Sequence, residues 1–398
     1  MADAAESHLF NVFAHPEQKF VRGQGVWLFD DKGDRYLDFI AGISVNALGH
    51  AHPALVSALT EQAQKLWHIS NMYRIEGQET LAAKYAATSF ADVTFFTNSG
   101  TEAIECALKL ARKYHAANGH PERIDIIGFT GSFHGRSYAA INAAGNPGYL
   151  EGFGPRLPGY VQAEFGDWEK LKELVGPTTA AIIIEPVQGE GGVRAVPDEA
   201  LRLMRRLCDE QGALLIYDEV QAGAGRTGKL FAYEWSGVAP DVMALAKGIG
   251  GGFPLGACLA TREAAKGMVR GTHGTTYGGN PLAMAVGNAA WDILSDEAFL
   301  VRVRDAANHL GQAMEGLKDR HPNLIVETRG RGLLRGFKLT IDPKGVQTAA
   351  RDRKLLVGVA GDNVLRLAPP LVLDKDHISH AADVLDAAFS AAAAGKAA

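Results

Sequence analysis

Short apolar runs alternate with amphipathic stretches through the middle of the chain, and this alternation limits the fold more than any other feature. Four of the runs are RIDIIGF (123–129), AAIIIEP (180–186), ALLIYDE (213–219) and DVMALA (241–246). Each is too short and too continuously apolar for a surface helix, so each reads as a strand buried on both faces. Between the second and third lies DEALRLMRRLCDEQG (198–212). There Leu201, Met204 and Leu207 or Cys208 recur at helical spacing, and Gly212 marks the stop. Such strands, separated by helices, predict an α/β fold with a mostly parallel, doubly wound sheet. Ligands of these sheets collect outside the carboxyl ends of the strands. Glu185, Asp218 with Gln221, and Lys247 follow three of those ends, which points to one crevice.

The flanks read differently. In GQGVWLFDDKGDRYLDF, the DDKGDR segment is a hairpin turn between aromatic strand fragments. From about residue 295 come amphipathic helices, the strand-like NLIVETRGRGLLRGFKL, and NVLRLAPPLVL. A chain of 398 residues is too long for one small core. The division expected is a large domain of residues 51–294 and a smaller α+β domain built from both termini, 1–50 and 295–398. The closing SAAAAGKAA reads as a frayed helix end.

Charge and cysteine usage exclude several classes. The net charge of -5 comes from 45 acidic and 40 basic side chains, well mixed, with no basic block for nucleic acid or an anionic membrane. Cys106, Cys208 and Cys258 are far apart and in no CxxC spacing. That argues against a disulfide framework or a metal site and suits a reducing cytoplasm. MADAAESHLF has no basic segment followed by an apolar one, and no stretch of about 18 apolar residues exists. Neither a signal peptide nor a transmembrane helix is expected.

Lys247, at the edge of the run DVMALA and just before a glycine-rich turn, needs a reason to be there. An amine left among apolar residues costs free energy unless it is paired or reactive, and desolvation would make it a better nucleophile. Asp218 ends a neighbouring buried strand and should face a cation or protonated nitrogen; capping the next turn is its other reading. Gln221 offers an amide to a phenolate-type oxygen. In FFTNSGTEAIECALKLARKY (95–114), Ser99 and Glu102 stand at capping-box spacing. The amides there, with Gly100 for close approach, would also cradle a phosphate, and both readings stay open. GSFHGRS (131–137) carries Phe133, able to stack on a flat ring, and Arg136, able to grip a carboxylate. His134 alone reads as a structural hydrogen-bonder. A phosphate cradle, an aromatic face, a carboxylate for a ring nitrogen and a lysine amine together describe a pyridoxal 5′-phosphate site.

TNSGTEAIECALKLAR, GSFHGRS, EPVQGEGG, YDEVQAGAGRTG, ALAKGIGGGFPLGA and THGTTYGGNPLA occur in the order and spacing of the class III (fold type I) pyridoxal-phosphate aminotransferases, which the chain resembles from about residue 10 to 390. Within that family it is most similar to the bacterial acetylornithine branch. The resemblance implies that Lys247 holds the cofactor covalently, Asp218 pairs with its ring nitrogen, Gln221 lies near its phenolic oxygen and Phe133 stacks on the ring. It implies that Ser99, Gly100 and Thr101 hold the phosphate from one subunit and Thr276 from the other, hence a homodimer with shared sites. Arg136 is implied to bind the α-carboxylate of acetylornithine and Arg366 that of glutamate or 2-oxoglutarate, with Glu190 as the gate on Arg366. Ile43 stands where ornithine aminotransferases carry a tyrosine that helps hold the free α-amine, and suits an N-acyl group better than an ammonium. The activity implied is ping-pong transamination of N2-acetyl-L-ornithine with 2-oxoglutarate, a step of arginine biosynthesis. N-succinyl-L,L-diaminopimelate, ornithine and 4-aminobutyrate are the alternative amine substrates.

Overall fold

The computed structural model describes residues 8–394 apart from 15 and 17. The readings of the first seven residues and the last four lie outside the described residues.

A seven-stranded sheet forms the centre. Its order is Val93–Thr97, Gly256–Ala260, Val242–Leu245, Leu214–Asp218, Thr179–Ile184, Asp125–Phe129 and Tyr160–Ala163. All four expected runs are in it. The sheet is parallel except for Gly256–Ala260, which pairs antiparallel with both neighbours. GACLA carries the same apolar pattern as the others, so nothing local distinguishes its direction.

Alternation along the strands splits the apolar residues between two cores. Ile126, Ile183 and Ile216 face the helix Gly100–Ala117, against Ala103, Ile104, Ala107 and Ala111. Ile127, Ile182 and Leu215 face the other side, with Leu201, Met204 and Cys208 of the helix Asp198–Gln211. Helices on both faces make the sheet doubly wound, and Gly212 ends the second helix in the left-handed conformation (φ 65°). All three cysteines are buried and unpaired.

The flanking sheets interleave the two ends of the chain. Trp27–Asp30 and Arg35–Asp38 form the expected antiparallel hairpin. Asp30 Oδ1 caps its turn by accepting from the amides of Lys32 (3.0 Å) and Asp34 (2.8 Å). Its further partner is Leu355–Leu356, which joins Arg35–Asp38 in parallel from the far end of the sequence. A second, antiparallel sheet comprises Ile325–Arg331, Leu334–Leu339, Val364–Leu367 and Gly358–Ala360. Among the described residues no helix is long and apolar enough to cross a membrane.

One segment stores strain. Ala41, Gly42, Ile43 and Ser44 all have positive φ (49°, 63°, 64° and 65°). Left-handed backbone costs a non-glycine residue about 1–2 kcal/mol, most for a β-branched one. Asp38 holds the turn: its Oδ1 accepts from the amides of Ile40 and Ala41, each at 2.9 Å. Its Oδ2 is bonded to His50 Nε2 at 2.8 Å. Strain kept in place by buried hydrogen bonds is a reason to look for a site beside it.

Candidate active site

The parallel strands present their carboxyl ends on one edge, and a cavity of about 340 Å³ lies there. Asp218 pairs in register with Ala244 on the next strand, so Lys247 emerges just past the same edge. Ser99, Gly100, Thr101, Phe133, Glu190, Asp218, Gln221 and Lys247, all singled out from the sequence, line this cavity together. Arg366 reaches it through Glu190. Arg366 aside, three singled-out residues do not line it: Thr276 borders a separate cavity, Arg136 is exposed with its guanidinium 3.9 Å over the Tyr149 ring, and Ile43 is 44% exposed on the strained turn.

Burial pushes the Lys247 amine down to about 8, with Arg366 adding to the effect and Glu190 and Asp218 opposing it. Its backbone is left-handed (φ 49°). The glycines after it are needed for packing as much as for flexibility. A Cβ on Gly248 would lie 2.9 Å from that of Ala224, and one on Gly251 would lie 2.5 Å from Leu55 Cδ1.

Asp218 is buried and fully engaged. His134 Nδ1 donates to its Oδ2 at 2.7 Å, and the Val220 amide donates to Oδ1 at 3.0 Å. The capping reading of this residue holds, and the nitrogen that its other oxygen faces is His134 Nδ1. Burial works against a charge on His134, but the bond to Asp218 outweighs it and raises the imidazole. Its Nε2 is buried with no partner among the described residues.

Ser99 caps the helix Gly100–Ala117, accepting from the Glu102 amide at 3.3 Å. Glu102 reaches back one residue further than a standard capping box, taking the Asn98 amide at 2.6 Å and its Nδ2 at 3.1 Å. A Cβ on Gly100 would lie 2.8 Å from Val220 Cγ1, so its lack of a side chain lets the helix start pack against the segment that follows Asp218. Gly135 brings the other loop in: its φ is 119°, and a Cβ there would lie 2.3 Å from Thr101 Oγ1. Gly135→Ala should therefore cost about 2–4 kcal/mol from strain and overpacking combined. Thermal unfolding checks this; an unchanged Tm would mean the loop can shift freely.

At the other end of the cavity, Arg366, buried on the strand Val364–Leu367, donates to Glu190 Oε1 and at 3.4 Å to Gln221 Oε1. Gln221 Nε2 donates to the same Glu190 oxygen at 3.4 Å, so its amide bridges the ion pair. A Cβ on Gly189 would sit 1.8 Å from Gln221 Oε1, which explains the glycine. Burial tends to raise the Glu190 carboxyl, but Arg366, and less strongly Lys247, hold it below the usual range.

Sequence reading gave Glu185 no role, although it noted the residue at a strand end. Here it lines the cavity, accepting from the amides of Phe133 (2.9 Å) and Gly189 (3.3 Å). Burial, then the charge of Asp218, pushes it up to about 7. The tie between His134 and Asp218 was also missed, because 84 residues separate the pair and only the fold joins them.

The arrangement joins a depressed amine, a hydrogen-bonded carboxylate and a half-buried helix start around one space, with a guanidinium paired to its wall. Comparison with known proteins agrees with it. The family model described as aminotransferase class-III matches residues 12–389. Acetylornithine aminotransferase 2 of Caulobacter vibrioides is 58% identical over 396 residues, 99% of this chain and 98% of that protein. Among solved structures, N-acetylornithine aminotransferase from Stenotrophomonas maltophilia K279a is 36% identical with a TM-score of 0.84, covering 95% of this chain and 97% of that one. The ornithine aminotransferase from Toxoplasma gondii ME49 is 31% identical with a TM-score of 0.92, covering 98% and 94%. The higher overlap goes with the lower identity and a different named substrate, so the fold alone does not rank substrates. The chain belongs to the class-III aminotransferases.

Proposed function

We propose that the chain transfers the δ-amino group of N2-acetyl-L-ornithine to 2-oxoglutarate, with pyridoxal 5′-phosphate as cofactor, to yield N-acetyl-L-glutamate 5-semialdehyde and L-glutamate. The observation that carries this reading is the Lys247 amine in a cavity lined by Glu190, which pairs with the buried guanidinium of Arg366. A pocket that takes an amine-terminated and a dicarboxylate substrate in turn needs such a cation. The name of the 58%-identical relative supports the same substrate.

The residues present fit the cofactor. The helix start at Ser99–Thr101 suits a phosphate, Phe133 supplies a flat face, Asp218 suits a protonated ring nitrogen and Gln221 suits a phenolic oxygen. When bound, the cofactor supplies the electron sink for the carbanion at the substrate's reacting carbon. Lys247 would hold it covalently, and its Nζ, when free, would carry the proton to and from that carbon. Asp218, oriented by His134, keeps the ring-nitrogen proton in place. Glu190 covers Arg366 while the amine substrate is present and yields it to the α-carboxylate of 2-oxoglutarate. Arg136 grips the α-carboxylate of acetylornithine, and Ile43 offers its N-acetyl group an apolar surface. Thr276 reaches the phosphate held by a second copy in a homodimer. Exposed Trp67, Met72, Tyr73 and Tyr277 support that dimer as an apolar surface suited to a second copy. We assign the domains as 1–50 with 295–398, and 51–294, and place the enzyme in the cytoplasm, where its unpaired thiols would persist.

Single-turnover half-reactions with acetylornithine, N-succinyl-L,L-diaminopimelate, ornithine and 4-aminobutyrate test the substrate. Acetylornithine should react fastest; a faster rate with any other reassigns it. In cofactor-free protein, addition of the aldehyde pyridoxal to Lys247 should speed up with pH through a midpoint near 8, because only the uncharged amine is nucleophilic. A midpoint above about 10, as for an exposed lysine, would mean that the amine is not desolvated.

A further inference from the structure

A further polar cavity of about 440 Å³, which shares no lining residue with the Lys247 cavity, lies between the segment that follows Gln221 and the hairpin of Ile325–Arg331 and Leu334–Leu339. Thr227 and Trp235 wall it on one side, Arg304 and Asn308 of the helix Glu297–Arg320 on another, and Arg331 and Arg335 of the hairpin on the third. Nothing in the proposed reaction uses it.

The three guanidiniums differ in how far they are satisfied. Arg304 is paired with Glu297 and donates to the Gly228 carbonyl at 3.0 Å. Arg331 reaches Asp198 only at 3.4 Å and lies 5.4 Å from the centre of the Trp235 ring. Arg335 has no carboxylate within ion-pair distance among the described residues. Its one hydrogen bond runs from Nη1 to the Gly330 carbonyl at 3.3 Å, and its Nε is buried with no acceptor among them. A guanidinium offers five donors, so most of those on Arg335 are unspent.

The walls are fixed in place. A Cβ on Gly332 would lie 2.5 Å from Thr227 Cα, so the hairpin packs backbone to backbone against the opposite wall. Arg226, beside Thr227, is fully buried and donates to the carbonyls of Leu333 (3.3 Å) and Pro369. Forked donors held around one space, with an indole as part of the wall, suit the oxygens of a carboxylate or phosphate.

We propose that this cavity binds a small oxyanion through a carboxylate or phosphate group, with Arg335 as its principal partner. The test titrates the cofactor-loaded protein with inorganic phosphate and, separately, with malonate, at constant ionic strength set by chloride. Calorimetry and thermal unfolding read the binding. The parent should show saturable binding and a rising Tm with at least one anion, and which one distinguishes phosphate from carboxylate ligands. Arg335→Gln should weaken that binding at least tenfold while leaving kcat unchanged. Asn308→Asp, an exposed change that puts a carboxylate at the cavity wall, should weaken it too, and serves if the first variant does not fold. Arg366→Ala, which alters only the reaction cavity, should keep it. No saturable response to either anion in the parent overturns the proposal. So does a response that survives Arg335→Gln and Asn308→Asp but disappears in Arg366→Ala.

Discussion

Lys247→Ala is expected to lower kcat by at least about 10⁴-fold, because in the proposed reaction one amine serves both as covalent anchor and as proton carrier. The fold should survive. Lys247 makes no ion pair and no side-chain hydrogen bond among the described residues, and its removal relieves a buried amine already pushed down to about 8. The left-handed backbone at this position (φ 49°) is as accessible to alanine as to lysine. Two measurements check the assignment. Multiple turnover with acetylornithine and 2-oxoglutarate should vanish. After borohydride treatment, the parent should gain the mass of the cofactor and the variant should not. Repeated turnover by the variant at a rate near the parent's would sink the assignment.

Arg366→Ala should act on one half of the reaction. Its guanidinium is buried and its charge is met by Glu190, so truncation removes the site for a carboxylate and strands an acidic group. Losing one member of a buried charge pair costs about 2–5 kcal/mol. The half-reaction with 2-oxoglutarate should therefore slow by about 30- to 5,000-fold in kcat/KM, on the factor of ten per 1.36 kcal/mol. The acetylornithine half should lose less than about tenfold. The carboxylate contact proposed for Arg136 would be untouched, and a free Glu190 does not repel an amine. Equal losses in both halves would rule out a gate used by one substrate. Gln221, which bridges the pair, would then hold it for structural reasons alone.

Both predictions rest on residues picked out before any coordinates were known: Arg366 and Glu190 through the family resemblance, Lys247 on local grounds as well. A lysine at the end of an apolar strand, or a carboxylate in the same place, breaks the pattern of its own segment. Lys247, Asp218 and the Ser99–Glu102 cap were visible on that ground. The residues harder to see obey their local pattern. Glu185 precedes a proline as an ordinary strand end. His134 sits in a loop, where a histidine needs no explanation, and its bond to Asp218 spans 84 residues. Arg335 alternates correctly within a strand, and only the packing of the hairpin on the helix Glu297–Arg320 shows that its Nε has no acceptor among the described residues.

The strained turn at Ala41–Ser44 lay beyond sequence reading for a related reason. Ile43 is a poor choice for left-handed backbone, and propensity points away from what is observed there. The conformation exists because Asp38 and His50, brought together by the hairpin sheet, hold it.

By itself the sequence determined the α/β class, four of the seven strands of the central sheet, and the residue types gathered at their carboxyl ends. Periodicity and broken patterns are properties of short segments, and short segments are what a sequence displays. Tertiary structure alone decided which groups touch. It set Glu190 on Arg366 and His134 on Asp218, left Thr276 outside the cavity, and opened a second arginine-lined space that no motif announces. Those outcomes depend on burial and on contacts between distant segments, where desolvation and pairing are settled only once the chain has packed.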